Sequence, residues 1–292
     1  MKPPPFKYYA PDTLEEALGL MAEYGSDAKA LAGGQSLIPT MNFRLSQPEV
    51  LVDLNNIPKL SHIQATADGG LSIGAMTRQR AVERDPLVAQ RSPLIHATMP
   101  YIAHPQIRNR GTFGGSIAHA DPASELPAVI TVLEARLRVQ SSHGERWISA
   151  NEFFTDLFET ALEPEELLVE VSIPETPPRT GYAFQEVSRR HGDYALVGAA
   201  ASVTLSAEGV CDSARLAFFS VGPGPVSAHQ AAASLTGQAL TAESIDQAAE
   251  IAAANDIDPP GDIHASVSFR RHLAKTLARR VLTEAATQAQ GG

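Results

Sequence analysis

Two glycine pairs are the residues of this sequence whose type and spacing could do chemistry. The first lies in the run Ala-Gly-Gly-Gln-Ser at residues 32–36, and the second lies in Gly-Thr-Phe-Gly-Gly-Ser at residues 111–116. Glycine pairs followed by small polar residues leave backbone N–H groups bare enough to approach an anion closely. One such loop would hold a single phosphate. Two loops brought together by folding would hold the diphosphate of a large dinucleotide from both sides.

Neither segment carries a familiar nucleotide-binding fingerprint. The Gly-x-Gly-x-x-Gly pattern is absent from both, and no Lys-Ser or Lys-Thr completes a Walker loop. A nucleotide site here would therefore be built from backbone N–H groups and from the hydroxyls of Ser36, Thr112 and Ser116. The alternative for either glycine pair is a tight turn with no ligand.

Composition excludes several other classes of protein. The 292 residues carry a formal charge of −10, which disfavours nucleic-acid binding because phosphate neutralisation needs a basic face. The single cysteine, Cys211, rules out an internal disulfide or an iron–sulfur cluster held by this chain alone. The sequence shows neither a secretory signal nor a stretch long enough to cross a membrane, so we expect a soluble, cytoplasmic protein.

One group of polar residues could in principle bind a metal ion. His119, Asp121 and Glu125 lie close together in sequence, but no His-Glu-x-x-His helix supports them and Pro122 indicates a loop. We expect no metal site in this chain.

Hydrophobic periodicity predicts both helices and strands in the first part of the chain. A helix capped by Thr13 should end at Gly25. We predict strands at 28–32, 49–54 and 71–75, a helix capped by Thr77 through residue 82, a helix over 94–103 ended by Pro105, a helix over 126–135, and a hairpin of strands 137–140 and 146–148.

A domain boundary is expected at residues 174–179, where three prolines interrupt any regular element. Beyond it we predict an antiparallel meander of strands 182–187, 196–205 and 215–221, followed by helices over 230–235, 244–254 and 267–286. The last helix carries an apolar stripe of Phe269, Leu273, Leu277 and Val281, which is typical of a core face. Cys211 is expected in a turn and chemically inert, and a glycine turn delivers Tyr194 just before a strand.

Three motifs together resemble a known family. Residues 32–39, Ala-Gly-Gly-Gln-Ser-Leu-Ile-Pro, resemble the first FAD-binding loop of the flavoprotein (medium) subunit of the molybdenum hydroxylases. That group contains bacterial carbon monoxide dehydrogenase and the FAD domain of xanthine dehydrogenase. Residues 106–116 resemble its second loop, and residues 189–197, Arg-Arg-His-Gly-Asp-Tyr-Ala-Leu-Val, resemble its flavin-proximal segment. The likeness covers nearly the whole chain.

The resemblance implies an α+β fold that begins with a two-lobed FAD-binding domain of the vanillyl-alcohol-oxidase type at residues 1–177, with lobes of about 1–57 and 58–177. A C-terminal domain of a three-stranded antiparallel sheet and three helices would occupy residues 178–292. Such a fold binds FAD non-covalently between the lobes.

The resemblance also implies a set of cofactor-binding residues and no catalytic residue of the protein's own, because the flavin carries the redox chemistry. The two loops would contact the diphosphate and ribityl groups, other residues would touch the flavin or adenosine, and Tyr194 would pack against the isoalloxazine face. The set comprises Leu31, Ala32, Gly33, Gly34, Gln35, Ser36, Leu37, Ile38, Ile102, Gly111, Thr112, Gly114, Gly115, Ser116, Glu125, Leu168, Gln185 and Tyr194. Two positions depart from the family pattern: Phe113 replaces an aliphatic residue, and Ser116 replaces Asn or Asp.

In function, the resemblance implies an electron-transfer subunit. Substrate would react at a molybdenum cofactor in a large partner subunit, and electrons would pass through 2Fe–2S clusters of a small partner subunit to FAD and then to an external acceptor. A dimer of such heterotrimers is the implied assembly. The alternatives are a stand-alone FAD-dependent oxidase or dehydrogenase and a non-catalytic nucleotide-binding protein of the same fold.

Overall fold

The N-terminal segment forms a small parallel sheet. The computed structural model describes residues 2–291, and its first elements are β1 (Lys7–Tyr9), α1 (Leu14–Tyr24), β2 (Ala28–Leu31), α2 (Leu37–Asn42) and β3 (Val50–Asp53). β3 lies between β1 and β2 and pairs with both in parallel. Parallel strands end at the same sheet edge, so the turns after β2 and β3 lie side by side. The predicted helix is confirmed, with the Thr13 hydroxyl accepting from the Glu16 N–H at 3.2 Å and Gly25 at a φ of 49°.

A second, antiparallel sheet follows. Its segment contains β4 (Ile63–Ala65), β5 (Leu71–Gly74), α3 (Gln79–Arg84), α4 (Pro86–Arg91), α5 (Pro93–Thr98), α6 (Pro105–Arg110), α7 (Phe113–His119), α8 (Glu125–Val132), β6 (Arg136–Ser141), β7 (Gly144–Ser149), α9 (Ala150–Phe153), β8 (Phe154–Asp156), β9 (Glu159–Thr160) and β10 (Leu167–Ile173). The sheet order is β4-β5-β10-β6-β7, and β8 pairs with β9 in a separate hairpin. The predicted hairpin of β6 and β7 is confirmed.

Two predictions in this segment are wrong. Thr77 does not cap a helix, because its hydroxyl donates to the His62 carbonyl at 2.9 Å and α3 begins two residues later. Pro105 does not end a helix but begins α6, since proline lacks only an N–H that a first helical residue would leave unpaired. The helix predicted over 94–103 is α5 followed by a 3₁₀ turn at Met99–Tyr101.

The C-terminal segment forms a third sheet covered by helices. It contains β11 (Thr180–Ser188), β12 (Ala195–Leu205), β13 (Cys211–Phe219), β14 (Val226–Ser227), α10 (His229–Leu235), α11 (Ala242–Ile251) and α12 (Val267–Gly291), with a π-helical turn at Ala252–Asp256. The strands pair antiparallel in chain order. The three long strands of the predicted meander are confirmed, and the short β14 is an addition to them.

Helix α12 packs across one face of this sheet. Leu277 and Val281 of the predicted stripe are buried there, whereas Phe269 is 44% exposed and lies outside the core. Cys211 is not in a turn: it begins β13 and is buried, and burial raises the pKa of its thiol to about 11. A thiol in that state is chemically inert, as expected.

The opposite face of the third sheet packs against the second sheet's helices. Phe184 of β11 and Phe219 of β13 stack with ring centroids 5.8 Å apart, and both belong to the core that includes Phe113 and Leu126. Helices α5 and α8 contact this face. The N-terminal and C-terminal parts of the chain therefore share one hydrophobic core.

Candidate functional site

The two glycine segments meet, backbone against backbone. A Cβ atom added to Gly33 would lie 2.5 Å from the Arg110 carbonyl oxygen and 2.7 Å from the Gly111 Cα. A Cβ added to Gly115 would lie 3.1 Å from the Ala32 Cβ. No residue larger than glycine fits at Gly33 without separating the loops. Residues 31–38, hereafter the first glycine loop, and residues 110–116, the second glycine loop, thus form one continuous surface.

The first glycine loop follows β2 at the carboxyl end of the parallel sheet. Gly34 has a φ of 71°, a left-handed conformation that glycine adopts without strain. The Gly34 carbonyl accepts from the Ile38 N–H at 3.2 Å, which starts α2. The loop therefore reverses the chain within a few residues and keeps its backbone exposed at the sheet edge, where open α/β sheets bind ligands.

In the first glycine loop, the backbone carbonyl oxygens and the backbone N–H groups differ in their hydrogen bonding. Its carbonyl oxygens are engaged: those of Ala32 and Gly33 accept from the side-chain amides of Asn55 (2.9 Å) and Gln35 (3.1 Å) respectively. In contrast, no acceptor within residues 2–291 pairs with the backbone N–H groups of residues 33–36. Four successive unpaired N–H groups on one short turn form a site for an anion.

The second glycine loop is built differently. Thr112 caps α7, its hydroxyl accepting from the Gly115 N–H at 3.1 Å, and the Gly114 N–H donates to the Ala75 carbonyl at 2.9 Å. Gly114 is also required by close packing, since a Cβ there would lie 2.6 Å from the Ala75 Cα. This loop supplies a close-packed wall and the Thr112 hydroxyl, whereas the first loop supplies the free N–H groups.

A cavity of about 330 Å³ adjoins the first glycine loop. It is lined by the loop, by Asp53 and Asn55 at the end of β3, and by Arg110. Arg78 lies beside it, and its pKa is lowered by burial and by the neighbouring charge of Arg110. Two guanidinium groups next to unpaired N–H groups make the region suited to a strongly anionic ligand.

An acidic group lies near the start of α8. Burial raises the pKa of Glu125 to about 7 and that of Glu186 to about 8, and the charge of Glu125 raises the pKa of Glu186 further. The Ser124 hydroxyl, next to Glu125, bonds to the Ser116 hydroxyl at 3.0 Å. The acidic group is thus linked directly to the second glycine loop.

The remaining residues of the predicted set lie in three places. Ile102 and Leu168 are buried in the core that contains Phe113. Tyr194 follows the glycine turn and is 69% exposed, so its ring is free on one side. Gln185 is not brought to the site, because its side chain donates to Glu284 of α12 at 3.3 Å.

Strand alternation explains the position of Gln185. Tyr182 and Phe184 of β11 face the shared core, whereas Ala183 and Val187 face α12. Glu186 lies two residues after Phe184, so its side chain is on the same face of β11. Its Oε2 is buried without a hydrogen-bond partner among the described residues. The period-2 pattern of β11 in the sequence could have favoured Glu186 over Gln185.

Sequence reasoning also missed Asp53, Asn55 and Arg78. The signal for Asp53 and Asn55 was their place at the end of the strand predicted over residues 49–54. Arg78 had no signal, because its role depends on a fold that brings residues 55 and 110 together. In the described part of the chain, no cluster of three His, Cys, Asp or Glu side chains could hold a metal ion, and no helix is long and apolar enough to span a membrane.

Comparison with known proteins identifies the family of this chain. Residues 4–176 match the sequence model of the family described as the FAD binding domain in molybdopterin dehydrogenase. The chain belongs to this family. Residues 182–285 of the flavoprotein match the CO dehydrogenase flavoprotein C-terminal domain. The resemblance stated from the three motifs is confirmed, and the chain is an FAD-binding subunit of an oxidoreductase.

Relatives cover the flavoprotein from end to end. It is 43% identical over 290 residues to the 6-hydroxypseudooxynicotine dehydrogenase complex subunit alpha of Paenarthrobacter nicotinovorans, covering 99% of this chain and 97% of that one. Among solved structures it is similar to carbon monoxide dehydrogenase from Hydrogenophaga pseudoflava, with a TM-score of 0.95, 38% identity and 99% coverage of each chain. Quinoline 2-oxidoreductase from Pseudomonas putida 86 gives a TM-score of 0.92 at 40% identity, with 99% coverage of each chain.

Proposed function

We propose that this flavoprotein passes electrons from partner iron–sulfur clusters to an external acceptor within a molybdenum hydroxylase complex. The single observation that carries the proposal is the turn at residues 33–36, whose unpaired N–H groups lie against the second glycine loop. A diphosphate carries its charge on several oxygens, so it matches several converging N–H donors. The two flanking guanidinium groups, Arg78 and Arg110, add the positive charge that such a ligand needs.

The chain is proposed to divide into an FAD-binding domain at residues 1–177 and a C-terminal domain at 178–292. The first would have two lobes of the vanillyl-alcohol-oxidase type, meeting near residue 57. Support comes from the separate parallel and antiparallel sheets, each with its own apolar cluster. The first glycine loop follows β2 of the parallel sheet and the second lies between α6 and α7 of the next segment, so a ligand bound by both would lie between the proposed lobes.

Within that site each group has a distinct proposed task. The N–H groups of residues 33–36 would bind the diphosphate, and Leu31, Leu37 and Ile38 would cover its apolar flank. Gly111, Thr112, Gly114 and Gly115 would form the opposite wall. Ile102 and Leu168 would pack against ring systems, and Tyr194 would cover the isoalloxazine face. Glu186 replaces Gln185 in this assignment because it faces the shared core.

FAD, when bound, supplies the redox chemistry of the subunit. The chain's own contribution is to hold that group in place and to set its surroundings. Burial raises the pKa of Glu125 to about 7 and that of Glu186 to about 8, so at neutral pH Glu186 is mostly protonated and Glu125 is about half protonated. A protonated carboxyl donates a hydrogen bond, whereas a carboxylate only accepts, so these two groups would present donors to a bound ring. The Ser116–Ser124 hydroxyl pair would occupy the space that a longer Asn or Asp side chain fills in the family pattern.

The electron donor is proposed to lie on a separate chain. This sequence contains one cysteine, so it cannot supply the ligands of a 2Fe–2S cluster. A small iron–sulfur subunit and a large molybdenum-cofactor subunit would complete the complex, assembled as a dimer of heterotrimers. The substrate would then react on the large subunit, away from this chain.

The test is to purify the chain alone and together with its co-expressed partner subunits. We expect about one FAD per chain, released on heat denaturation and therefore non-covalent, with iron and molybdenum only in the complex. Flavin bleaching on substrate addition is expected in the complex and not in the isolated chain. A chain that oxidises a substrate by itself would support the stand-alone enzyme, and a chain without flavin would contradict the proposal.

A further inference from the structure

A polar network joins the two glycine loops beside the cavity that Asn55 and Arg110 line. The Asn55 side-chain amide donates to the Ala32 carbonyl of the first loop at 2.9 Å. Arg78 donates to the Asn55 amide oxygen at 2.6 Å and to the Arg110 carbonyl of the second loop at 2.5 Å. Two side chains thus connect one carbonyl of each loop. We call these two residues, with Asp53 and Tyr8, the bridging network.

The network is anchored in the parallel sheet. Asp53, the last residue of β3, accepts from both the backbone N–H and the side-chain amide of Asn55, at 2.9 and 2.5 Å. Its other carboxylate oxygen accepts from the Tyr8 hydroxyl at 2.6 Å, and this bond raises the pKa of Tyr8. Asn55 has therefore one orientation in which all its bonds are made, and that orientation directs its amide oxygen to Arg78.

The geometry of the peptide group gives the bridging network a function beyond linking the two glycine loops. A peptide group whose carbonyl points in one direction points its N–H in the other. By binding the Ala32 carbonyl, the network orients the peptide group between Ala32 and Gly33 so that its N–H points away from Asn55. The Arg110 carbonyl is held by Arg78, while the N–H of that same peptide group, at Gly111, donates to the Ile107 carbonyl at 2.7 Å. The Gly33 N–H is one of the unpaired donors of the first loop.

We propose that Arg78 and Asn55 are positioning residues that fix the two glycine loops against each other and orient the N–H groups for a diphosphate. The proposal rests on the proposed function, since it assigns that site its ligand. Neither residue needs to touch the ligand. The guanidinium suits this task because its planar fork donates in two fixed directions at once. Lysine carries the same charge but cannot hold both acceptors in that geometry.

The experiment compares Arg78→Ala, Asn55→Ala, their double variant and Arg78→Lys in the full-length chain freed of flavin. Arg80→Ala is the matched control, because Arg80 bonds to Glu83 at 2.8 Å and to neither loop. FAD dissociation constants are measured by fluorescence titration. Amide hydrogen exchange of the flavin-free chain is followed by mass spectrometry over residues 31–38 and 110–116.

We expect Arg78→Ala to weaken FAD binding on the order of tenfold or more, since hydrogen bonds to charged groups carry that much. Exchange should rise in both loops together, although Arg78 contacts only the second loop directly. The double variant should bind no more weakly than the worse single variant, because the two side chains act as one unit. Arg78→Lys should fall between wild type and Arg78→Ala, and Arg80→Ala should stay within twofold of wild type.

The proposal is overturned if Arg78→Ala binds FAD within twofold of wild type, if exchange rises in one loop only, or if the single effects simply add. Should Arg78→Ala fail to fold, Asn55→Ala and Arg78→Lys answer the same question. A wild-type chain that binds no FAD would contradict the proposed function instead. The exchange measurement on the flavin-free chain would still decide whether the network fixes both loops.

Discussion

At the scale of single residues, Gly33 shows why the site needs a residue without a side chain. Its Cα approaches the backbone of the second loop so closely that any Cβ would lie 2.5 Å from the Arg110 carbonyl oxygen. The carbonyl oxygen belongs to the main chain, and the backbone fixes the position of a Cβ, so neither atom can rotate away. The residue therefore sets the distance between the two loops.

We predict that Gly33→Ala separates the loops and lowers FAD affinity at least tenfold, with a loss of about 1–3 kcal/mol in the free energy of unfolding. Gly19→Ala is the control, because a Cβ at Gly19 in α1 would meet nothing within 4 Å. That change should leave FAD binding intact and stabilise the chain by about 0.5–1 kcal/mol. Flavin titration and chemical denaturation measure both. Equal affinity in the two variants would contradict the packing described at Gly33.

Glu125 gives a second prediction at this scale, for the flavin-free chain. Its pKa rises from 4.5 to about 7, first through burial and then through the charge of Asp121. The folded chain therefore binds more protons than the unfolded chain between these two values, and stability must fall as pH rises through that window. Glu125→Gln removes this contribution. The slope of Tm against pH between 5 and 7 should become shallower, with little change at pH 4.

The contradicting result would be an unchanged slope in Glu125→Gln across the same pH range. Asp68→Asn is a suitable control, since Asp68 is a surface carboxyl whose pKa is lowered by hydrogen bonds to Thr66 and the Gly70 backbone. It should leave the slope between pH 5 and 7 unchanged.

At the scale of elements, the apolar stripe of α12 contains both buried and exposed residues. Leu277 is 1% exposed and Phe269 is 44% exposed, although both have the same spacing in the sequence. We predict a loss of about 2–5 kcal/mol for Leu277→Ala and less than about 0.5 kcal/mol for Phe269→Ala. Urea denaturation measures both values. Similar losses for the two variants would mean that the first turn of α12 is also packed.

Element prediction from the sequence succeeded where local signals were strong. The capped helix α1, the β6–β7 hairpin and the three long C-terminal strands each had turn residues at both ends and a clear period. It failed at Thr77 and Pro105, where one residue type permits two local roles. The choice was made by distant partners, such as the His62 backbone for Thr77.

The candidate site was predictable to a similar degree. The glycine loops were recognisable because close backbone approach demands glycine, and their motifs are specific. Gln185 came from a loose alignment, whereas the alternation of β11 turns its side chain toward Glu284 of α12. Arg78 could not have been found, since its importance lies in hydrogen bonds between segments that only the fold brings together.

At the scale of the whole molecule, the shared core joins the two halves of the chain. Phe219 is fully buried, and the Phe184 ring stacks on it. The centroid of the Phe184 ring also lies 5.1 Å from that of Tyr101, which belongs to the first half of the chain. We therefore expect the flavin-free chain to unfold in one cooperative transition. The single tryptophan, Trp147 of β7, reports on the first half, and far-UV circular dichroism reports on both.

Phe219→Ala should lower stability by about 3–5 kcal/mol and shift the Trp147 transition as far as the dichroism transition. Arg215→Ala is the control: it removes only the half-exposed ion pair with Glu134 across the same interface, which is worth about 0–1 kcal/mol. If Trp147 fluorescence keeps its wild-type midpoint while the dichroism midpoint falls, the halves unfold separately.

The proposed donors of the first glycine loop are backbone amides, and this determines which substitutions can disturb the site. Truncating a side chain there deletes no backbone donor, because every amino acid except proline carries the same backbone N–H. Damage comes from added bulk or from a lost amide proton. A saturation library over residues 33–36 should therefore tolerate many changes of polarity at Gln35 and Ser36 and reject proline throughout. Alanine scanning, the usual survey for binding residues, would underestimate the importance of Gln35 and Ser36.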